Sequence, residues 1–401
     1  MSAVAPPGPA ASPPPVVRRR SDQGPLYGVI AALSIALVLV VVGSATSWYG
    51  LKSSSTSSSP TGCPTGSTLY GYGASFLNAV MSSWKQGFNT ATTNKVVYTA
   101  NGAGAGITDL ATGVADFSAT DEPLNASEVA SMPGTTLTLP VTGGPVVIVF
   151  NIPSVTQLNL TPWQLADIYL GTITNWNSTQ LSFDNPHLPS GTIVTVHRSD
   201  QAGTTYVLTN LLSIYNATWN RTVGTTILPT PWPKAPTQIG AKGNSALATA
   251  VKSTSYSIGY VDLPDAITNS LSQAAVFNKA GFFVMGTLAT TNAAIANLSG
   301  QPIPPASGNW SAVSWVNAPG ASSFPLATLS YFIVLQNPKL GHTASLADAQ
   351  VLVQWLRYVL TTGQGLSAAD DFVNPPANLV TQDLTALGSM VYGSSPIPAC
   401  T

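Results

Sequence analysis

Ionised side chains are scarce in this 401-residue sequence. Charged residues make up 7% of the chain and hydrophobic residues 44%, whereas ordinary soluble domains carry roughly 25% charged residues. The 14 basic and 15 acidic residues give a net charge of -1, and the basic residues after the N-terminus form no stripe. Binding to a nucleic-acid polyanion depends on clustered lysine and arginine. We therefore expect no nucleic-acid partner.

Residues that bind metals or carry catalysis are also few. The two cysteines, Cys63 and Cys400, form no CxxC pair, and the three histidines lack metal-ligand spacing. The GxSxG, HExxH and P-loop motifs do not occur. The sequence therefore predicts a protein that needs no metal or cofactor and is not an enzyme.

Residues 1–65 are predicted to attach the protein to a membrane. Residues 1–25 are proline-rich and predicted to be a disordered cytoplasmic tail, and residues 26–49 contain an uncharged apolar run long enough to cross a bilayer. Arg18 to Arg20 precede this run, which places the N-terminus inside. The alternative is a cleaved signal peptide, with Gly43 and Ala45 before the cut. Residues 50–65 are a Ser/Thr-rich linker, typical of a flexible stalk.

The two cysteines bracket the predicted globular part. A disulfide between Cys63 and Cys400 would be permitted outside the cytoplasm and would close a long loop, which favours pairing. Two unpaired thiols, or a lipidated Cys63, are the alternatives.

Short apolar runs alternate with amphipathic segments in the globular part, which indicates an α/β fold with largely parallel sheets. The strand candidates are 96–98, 146–150, 192–196 and 332–335, and the clearest helix candidates are 204–214 and 346–360.

Three segments, 70–76, 101–106 and 198–205, share one design, in which a strand leads through small polar residues into a helix. Helix N-termini expose free N–H groups and the positive end of the helix dipole, and both bind anions. Arg198 in the third segment adds a planar cation that suits phosphate. The three segments together predict an oxyanion site.

At these residues the chain resembles the phosphate-binding proteins of high-affinity phosphate ABC importers. The resemblance rests on "GYGASF", "NKVVYTANGAGAGI", "DFSATDEPL", "LADIYLGTITNWN", "VTVHRSDQAGTTYVLTNLL", "GAKGN" and "SIGYVD", in the family's order from about residue 68 onwards. It implies a two-lobed, type II periplasmic-binding-protein clamshell. Residues 66–146 and 328–401 would form lobe I and residues 147–327 lobe II. The hinges would lie near 143–145 and 327–332.

The resemblance also implies a set of phosphate-binding residues between the lobes. They are Ser75, Phe76, Ala103 and Asp121 from lobe I, and Arg198, Asp200, Ala202, Gly203 and Thr204 from lobe II. Hydroxyls and helix N–H groups would donate to the ligand, and Asp200 would orient Arg198. Asp121 would accept the proton of hydrogen phosphate and so reject sulfate, which has no proton at neutral pH.

Two positions depart from the family pattern, because Ala103 and Ala202 stand where the family usually has serine. Each missing hydrogen bond to a charged ligand is worth roughly 1.5–3 kcal/mol. We therefore expect weaker phosphate binding, or a preference for another protonated oxyanion.

The expected function is extracytoplasmic capture of inorganic phosphate by a monomer that delivers it to an ABC permease in the membrane. The alternatives are a surface or signalling protein with a weakened oxyanion site, and an enzyme built on the same cleft.

Overall fold

The computed structural model describes residues 63–228, 232–233 and 236–399. The predicted cytoplasmic tail, the apolar run and most of the linker lie outside the described residues. So does Cys400, and the pairing of Cys63 therefore stays a prediction. Within the described residues, no helix is long and apolar enough to cross a bilayer.

Strands and helices alternate along most of the described chain. The strands are β1 Thr68–Gly73, β2 Lys95–Thr99, β3 Phe117–Thr120, β4 Thr136–Asn151, β5 Asn159–Leu160, β6 Val194–Arg198, β7 Gln238–Ala241, β8 Ser257–Asp262, β9 Ser272–Gln273, β10 Ala275–Phe277, β11 Phe283–Val284, β12 Ala327–Leu335, β13 Val391–Tyr392 and β14 Ser395–Pro396.

The α-helices are α1 Asn78–Thr92, α2 Ala103–Ala111, α3 Ala126–Ser131, α4 Pro162–Tyr169, α5 Thr179–Ser182, α6 Gly203–Tyr215, α7 Ala217–Thr222, α8 Asn244–Ser253, α9 Leu263–Thr268, α10 Leu288–Leu298, α11 Leu346–Leu360 and α12 Ala377–Leu387. Three 3₁₀ helices span Ser75–Leu77, Pro338–Leu340 and Thr362–Asp370.

The predicted helix 346–360 is confirmed, and its sequence explains its position. Ser345 caps its first turn by accepting a hydrogen bond from the Asp348 N–H at 3.1 Å. Val351, Leu352 and Trp355 are among the residues on its buried face. Apolar residues at these spacings form the stripe that a helix packs on a core.

One nine-stranded sheet runs through both lobes in the order β2-β1-β3-β12-β4-β8-β6-β7, with β9 paired to β4. The outer pairs are parallel, as predicted, but β12 and β4 run antiparallel to each other and to their neighbours β3 and β8. The prediction of largely parallel sheets is therefore wrong for the centre.

The long strand β4 belongs to both lobes. Its residues 136–145 pair with β12, and its residues 146–151 pair with β8. The pairing partner of β4 changes from β12 to β8 after Pro145, which pairs with Ala327 at the start of β12. The two segments proposed as hinges from the sequence thus lie side by side.

Lobe I has aromatic side chains at its centre. Phe117 and Phe332 lie 4.9 Å apart between ring centroids, and Trp355 packs on both. A second buried cluster includes Ile107, Tyr331 and, from the segment after α10, Trp310 and Trp315. Trp315 donates to the Tyr331 hydroxyl at 2.8 Å. The chain after α10 therefore packs against lobe I before β12 begins.

Candidate functional site

Four helical segments begin at one cleft without a side-chain cap. They are the 3₁₀ helix that leads into α1, and the helices α2, α6 and α8. Their capping positions hold Ala74, Gly102, Ala202 and Gly243, none of which supplies a capping hydrogen bond. The first turn of a helix has no intrahelical acceptor for its N–H groups. Apart from the Asn244 N–H, which donates to the Ser75 hydroxyl at 3.2 Å, the first N–H groups of these segments therefore remain available. An anion between these segments would satisfy those groups.

Most other helices in the described part of the chain start differently. Asn125 and Thr161 close capping boxes on α3 and α4, and Ser345 caps α11. Helix α12, which follows Pro376, also lacks a side-chain cap. So do α1 and the 3₁₀ helices Pro338–Leu340 and Thr362–Asp370. The cleft is distinguished by the convergence of four uncapped starts.

Arg198, at the end of β6, is the buried cation of the cleft. Its Nε and Nη2 donate to the two carboxylate oxygens of Asp200 at 2.7 and 2.6 Å. Its Nη1 donates to the Asn244 side-chain oxygen at 2.6 Å and to the Thr204 hydroxyl at 3.3 Å. Bidentate pairing of this kind fixes the guanidinium plane. The predicted orienting role of Asp200 agrees with this geometry.

Asp121 enters the cleft from lobe I and is 2% exposed. The Ser330 hydroxyl of β12 donates to its Oδ1 at 2.6 Å. Burial raises the pKa of Asp121 to about 7, although the Ser330 hydrogen bond and the charge of Arg198 both oppose the shift. A carboxyl with this pKa accepts or releases a proton near neutral pH.

Lobe II comes very close to Asp121. A Cβ atom built on Gly203 would lie 2.5 Å from the Asp121 Cβ and 2.6 Å from its Oδ2. Only glycine allows α6 to begin this close to the carboxyl. The first N–H groups of α6 are thereby held near the acidic group of the opposite lobe.

Phe76, Ala103 and Ala202 have no polar side-chain atom to offer. Phe76 packs its ring edge-to-face on Phe372 at 5.5 Å, and both alanines are buried at helix starts. Any contact of Phe76 or Ala103 with an anion would come from the backbone N–H. The Ala202 N–H is not available in this way, because it donates to the Ile227 carbonyl at 3.0 Å.

The structure thus brings Ser75, Asp121, Arg198, Asp200, Gly203 and Thr204 together from both lobes. The sequence analysis missed Asn244, which is fully buried at the first position of α8 and contacts both Arg198 and Ser75. Its one signal was the Gly243-Asn244 pair at a helix start within "GAKGN". Ser330 was also missed, because it lies in the continuous buried strand β12.

Glu122, next to Asp121, is also buried. Neither carboxylate oxygen has a hydrogen-bond partner within the described part of the chain. Burial raises its pKa well above the usual range, and the nearby Glu128 and Asp121 raise it further. Two neighbouring carboxyls in the cleft region therefore hold their protons to higher pH than exposed ones do.

Comparison with known proteins agrees with the two-lobed architecture. Residues 58–362 match the sequence model of a PBP superfamily domain. A phosphate-binding protein of Stenotrophomonas maltophilia has a solved structure that superposes with a TM-score of 0.61 at 18% identity. The superposition covers 80% of this chain and 94% of that one. At this identity the likeness establishes the fold alone, and the match to the sequence model places the chain in the PBP superfamily.

Comparison with the sequences of known proteins identifies the family within the PBP superfamily. The phosphate-binding protein PstS of Xylella fastidiosa strain Temecula1 is 33% identical over 325 residues, which cover 78% of this chain and 83% of that protein. The PstS protein of Pasteurella multocida is 36% identical over 271 residues, which cover 67% and 76%. The chain belongs to the family of PstS phosphate-binding proteins.

Proposed function

We propose that this protein captures inorganic phosphate outside the cytoplasm and delivers it to an ABC permease. The observation that carries the proposal is the convergence of four uncapped helical N-termini on a cleft that holds a buried arginine and a buried carboxyl. The relatives named above are phosphate-binding proteins, and that shared family supports the same ligand here.

The cleft offers a tetrahedral anion donors from both lobes. Lobe I provides the Ser75 hydroxyl and the backbone N–H groups of Phe76 and Ala103, and lobe II provides backbone N–H groups in the first turns of α6 and α8. The Thr204 hydroxyl, expected from the sequence to donate to the ligand, instead donates to the Asn244 side-chain oxygen at 3.3 Å. Arg198 contributes positive charge, but Asp200 pairs with most of its guanidinium. Retention therefore depends mainly on neutral donors and helix dipoles, whose number and direction suit an oxyanion.

Asp121 would provide the selectivity. Hydrogen phosphate and dihydrogen phosphate carry a proton with which they can donate a hydrogen bond to an ionised Asp121. A protonated Asp121 can instead donate a hydrogen bond to a phosphate oxygen. Sulfate offers no proton, so an ionised Asp121 would face it without a hydrogen bond. Because the pKa of Asp121 is about 7, this rejection should be strongest at a pH above 7. A buried polar group left without a partner costs about 1–3 kcal/mol, and more when it is charged.

Several finer features are part of the proposal. We propose a single-pass anchor in residues 26–49, a Cys63–Cys400 disulfide, a monomeric state and binding without catalysis. We also propose that the chain leaves lobe I near residue 146. Its return before residue 327 is supported by the packing of Trp310 and Trp315 against lobe I.

Titration calorimetry of the purified protein at about pH 8.5, where Asp121 is ionised, with phosphate, sulfate and arsenate tests the function. We expect phosphate to bind and sulfate not to compete, and we expect Asp121→Asn to reduce this discrimination. Asp184→Asn, which makes the same chemical change at a carboxyl that contacts Gln164, is the matched control and should behave as wild type. Equal affinity of the wild type for sulfate and phosphate would contradict the proposal.

A further inference from the structure

One hydrogen bond joins the two lobes directly at the cleft. The backbone N–H of Asn244, at the start of α8 in lobe II, donates to the Ser75 hydroxyl of lobe I at 3.2 Å. Both residues are buried. The bond can form only while the two lobes are in contact, because the donor and the acceptor belong to different lobes.

This bond constrains the direction of the Ser75 hydroxyl. A serine hydroxyl has one hydrogen to donate and two lone pairs to accept with. When the Asn244 N–H occupies a lone pair, the hydroxyl hydrogen points away from that N–H. The hydrogen is then free to donate to an anion in the cleft, so lobe contact and ligand contact use the same hydroxyl without competing.

The Asn244 side chain makes three hydrogen bonds on the lobe II side. Its oxygen accepts from Arg198 Nη1 at 2.6 Å and from the Thr204 hydroxyl at 3.3 Å. Its nitrogen donates to Asp262 Oδ2 at 2.5 Å. Since an amide has a distinct donor end and acceptor end, Asp262 fixes which end faces Arg198. Asn244 thereby orients Arg198 from the side opposite to Asp200.

We propose that Asn244 is a positioning residue that couples ligand retention to lobe contact. Its side chain sets the orientation of Arg198 and Thr204, and its backbone N–H forms a latch with Ser75. The inference rests on the proposed function, because phosphate is the probe for retention. The two roles use different atoms of Asn244 and are therefore separable.

The pair Asn244→Ala and Asn244→Pro separates them. Alanine removes the side chain and keeps the N–H, whereas proline removes both. Proline is tolerated at the first position of a helix, where its missing N–H costs no intrahelical bond. The preceding Gly243 has ψ 160°, which suits a residue before proline. Ala217→Pro, at the exposed first position of α7, is the matched control for proline.

The measurement is stopped-flow phosphate binding and release with the full chain. We expect Asn244→Ala to weaken phosphate affinity about 10- to 100-fold, since it removes a hydrogen bond to a charged group. We expect Asn244→Pro to release phosphate a further ~3- to 10-fold faster at an unchanged association rate, because the latch forms only after the lobes meet. A partly unfolded variant would lose amplitude instead of changing its release rate.

The outcomes are distinct. Phosphate binding by the wild type with equal release rates for the alanine and proline variants would overturn the latch. Wild-type affinity of Asn244→Ala would overturn the positioning role. Absence of phosphate binding by the wild type would refute the proposed function instead. In that case small-angle scattering decides the latch, which is overturned if wild type and Asn244→Pro have equal dimensions.

Discussion

Replacing Asp121 by asparagine should make the ligand-free protein more stable at high pH and leave it nearly unchanged at low pH. The carboxyl is buried, and its pKa rises from 3.8 to about 7. The folded state therefore keeps the proton to higher pH than the unfolded chain does. Ionisation of Asp121 lowers the free energy of unfolding as the pH rises from about 4 through 7.

The size of the effect follows from the two pKa values. One pKa unit corresponds to about 1.4 kcal/mol, so the interval between 3.8 and about 7 corresponds to about 4 kcal/mol, as an upper limit. Asparagine has no charge to bury, and its side-chain oxygen can accept the same hydrogen bond from Ser330. The free energy of unfolding of Asp121→Asn, relative to that of the wild type, should therefore increase progressively between pH 4 and pH 8.

Urea unfolding in phosphate-free buffers at several pH values measures this difference. Asp184→Asn makes the same carboxyl-to-amide change at the Gln164 contact and is the matched control. A stability difference between wild type and Asp121→Asn that stayed constant from pH 4 to pH 8 would refute the reasoning, because it would mean that Asp121 titrates alike in both states.

Three further predictions address packing and charge. Gly203→Ala should weaken phosphate binding about 10-fold or more in calorimetric titration, because its Cβ would lie 2.5 Å from the Asp121 Cβ. The control Gly300→Ala, with no atom within 4 Å of its Cβ, should bind phosphate normally, and equal phosphate affinities of the two variants would contradict the prediction. Ala202→Ser should raise phosphate affinity about 10-fold and stabilise α6 by about 1 kcal/mol in urea unfolding, because it adds both a ligand donor and a helix cap; a gain in stability without a gain in affinity would exclude the ligand contact. Asp383→Asn should become more stable than wild type as the pH rises towards 9, since burial raises the pKa of Asp383 to about 9; a difference in unfolding free energy that does not change with pH would contradict it.

The anion site could largely be predicted because its signals are local. Arg198, Asp200 and Gly203 lie close together in the turn between β6 and α6, and Asp121 directly follows β3. Each short segment therefore contains both the polar side chains and the backbone turn that positions them. Asn244 and Ser330 could not be assigned in the same way. Their roles depend on partners 46 and 209 residues away in the chain, Arg198 and Asp121 respectively. Such contacts arise only from tertiary packing.

The same distinction applies to the fold. The alternation of strands and helices predicted the α/β class and the parallel outer strands correctly. The antiparallel pair β4–β12 joins segments from distant parts of the chain. The sequence identified only the apolar runs 146–150 and 332–335 within these two strands. A buried strand of this type has no pattern that reveals its direction. The packing of Trp310 and Trp315 against lobe I was equally hidden in an irregular segment.

The position of β12 in the sheet has a consequence for the order in which the chain folds during synthesis. Residues 327–335 lie between β3 and β4, although both of those strands are made much earlier. Lobe II, whose strands β8, β6 and β7 are continuous in the chain, can complete its half of the sheet first. The lobe I half of the sheet stays incomplete until β12 is synthesised and pairs between β3 and β4. Ribosome-bound chains that end before residue 327 should therefore protect lobe II from protease while lobe I is still cleaved.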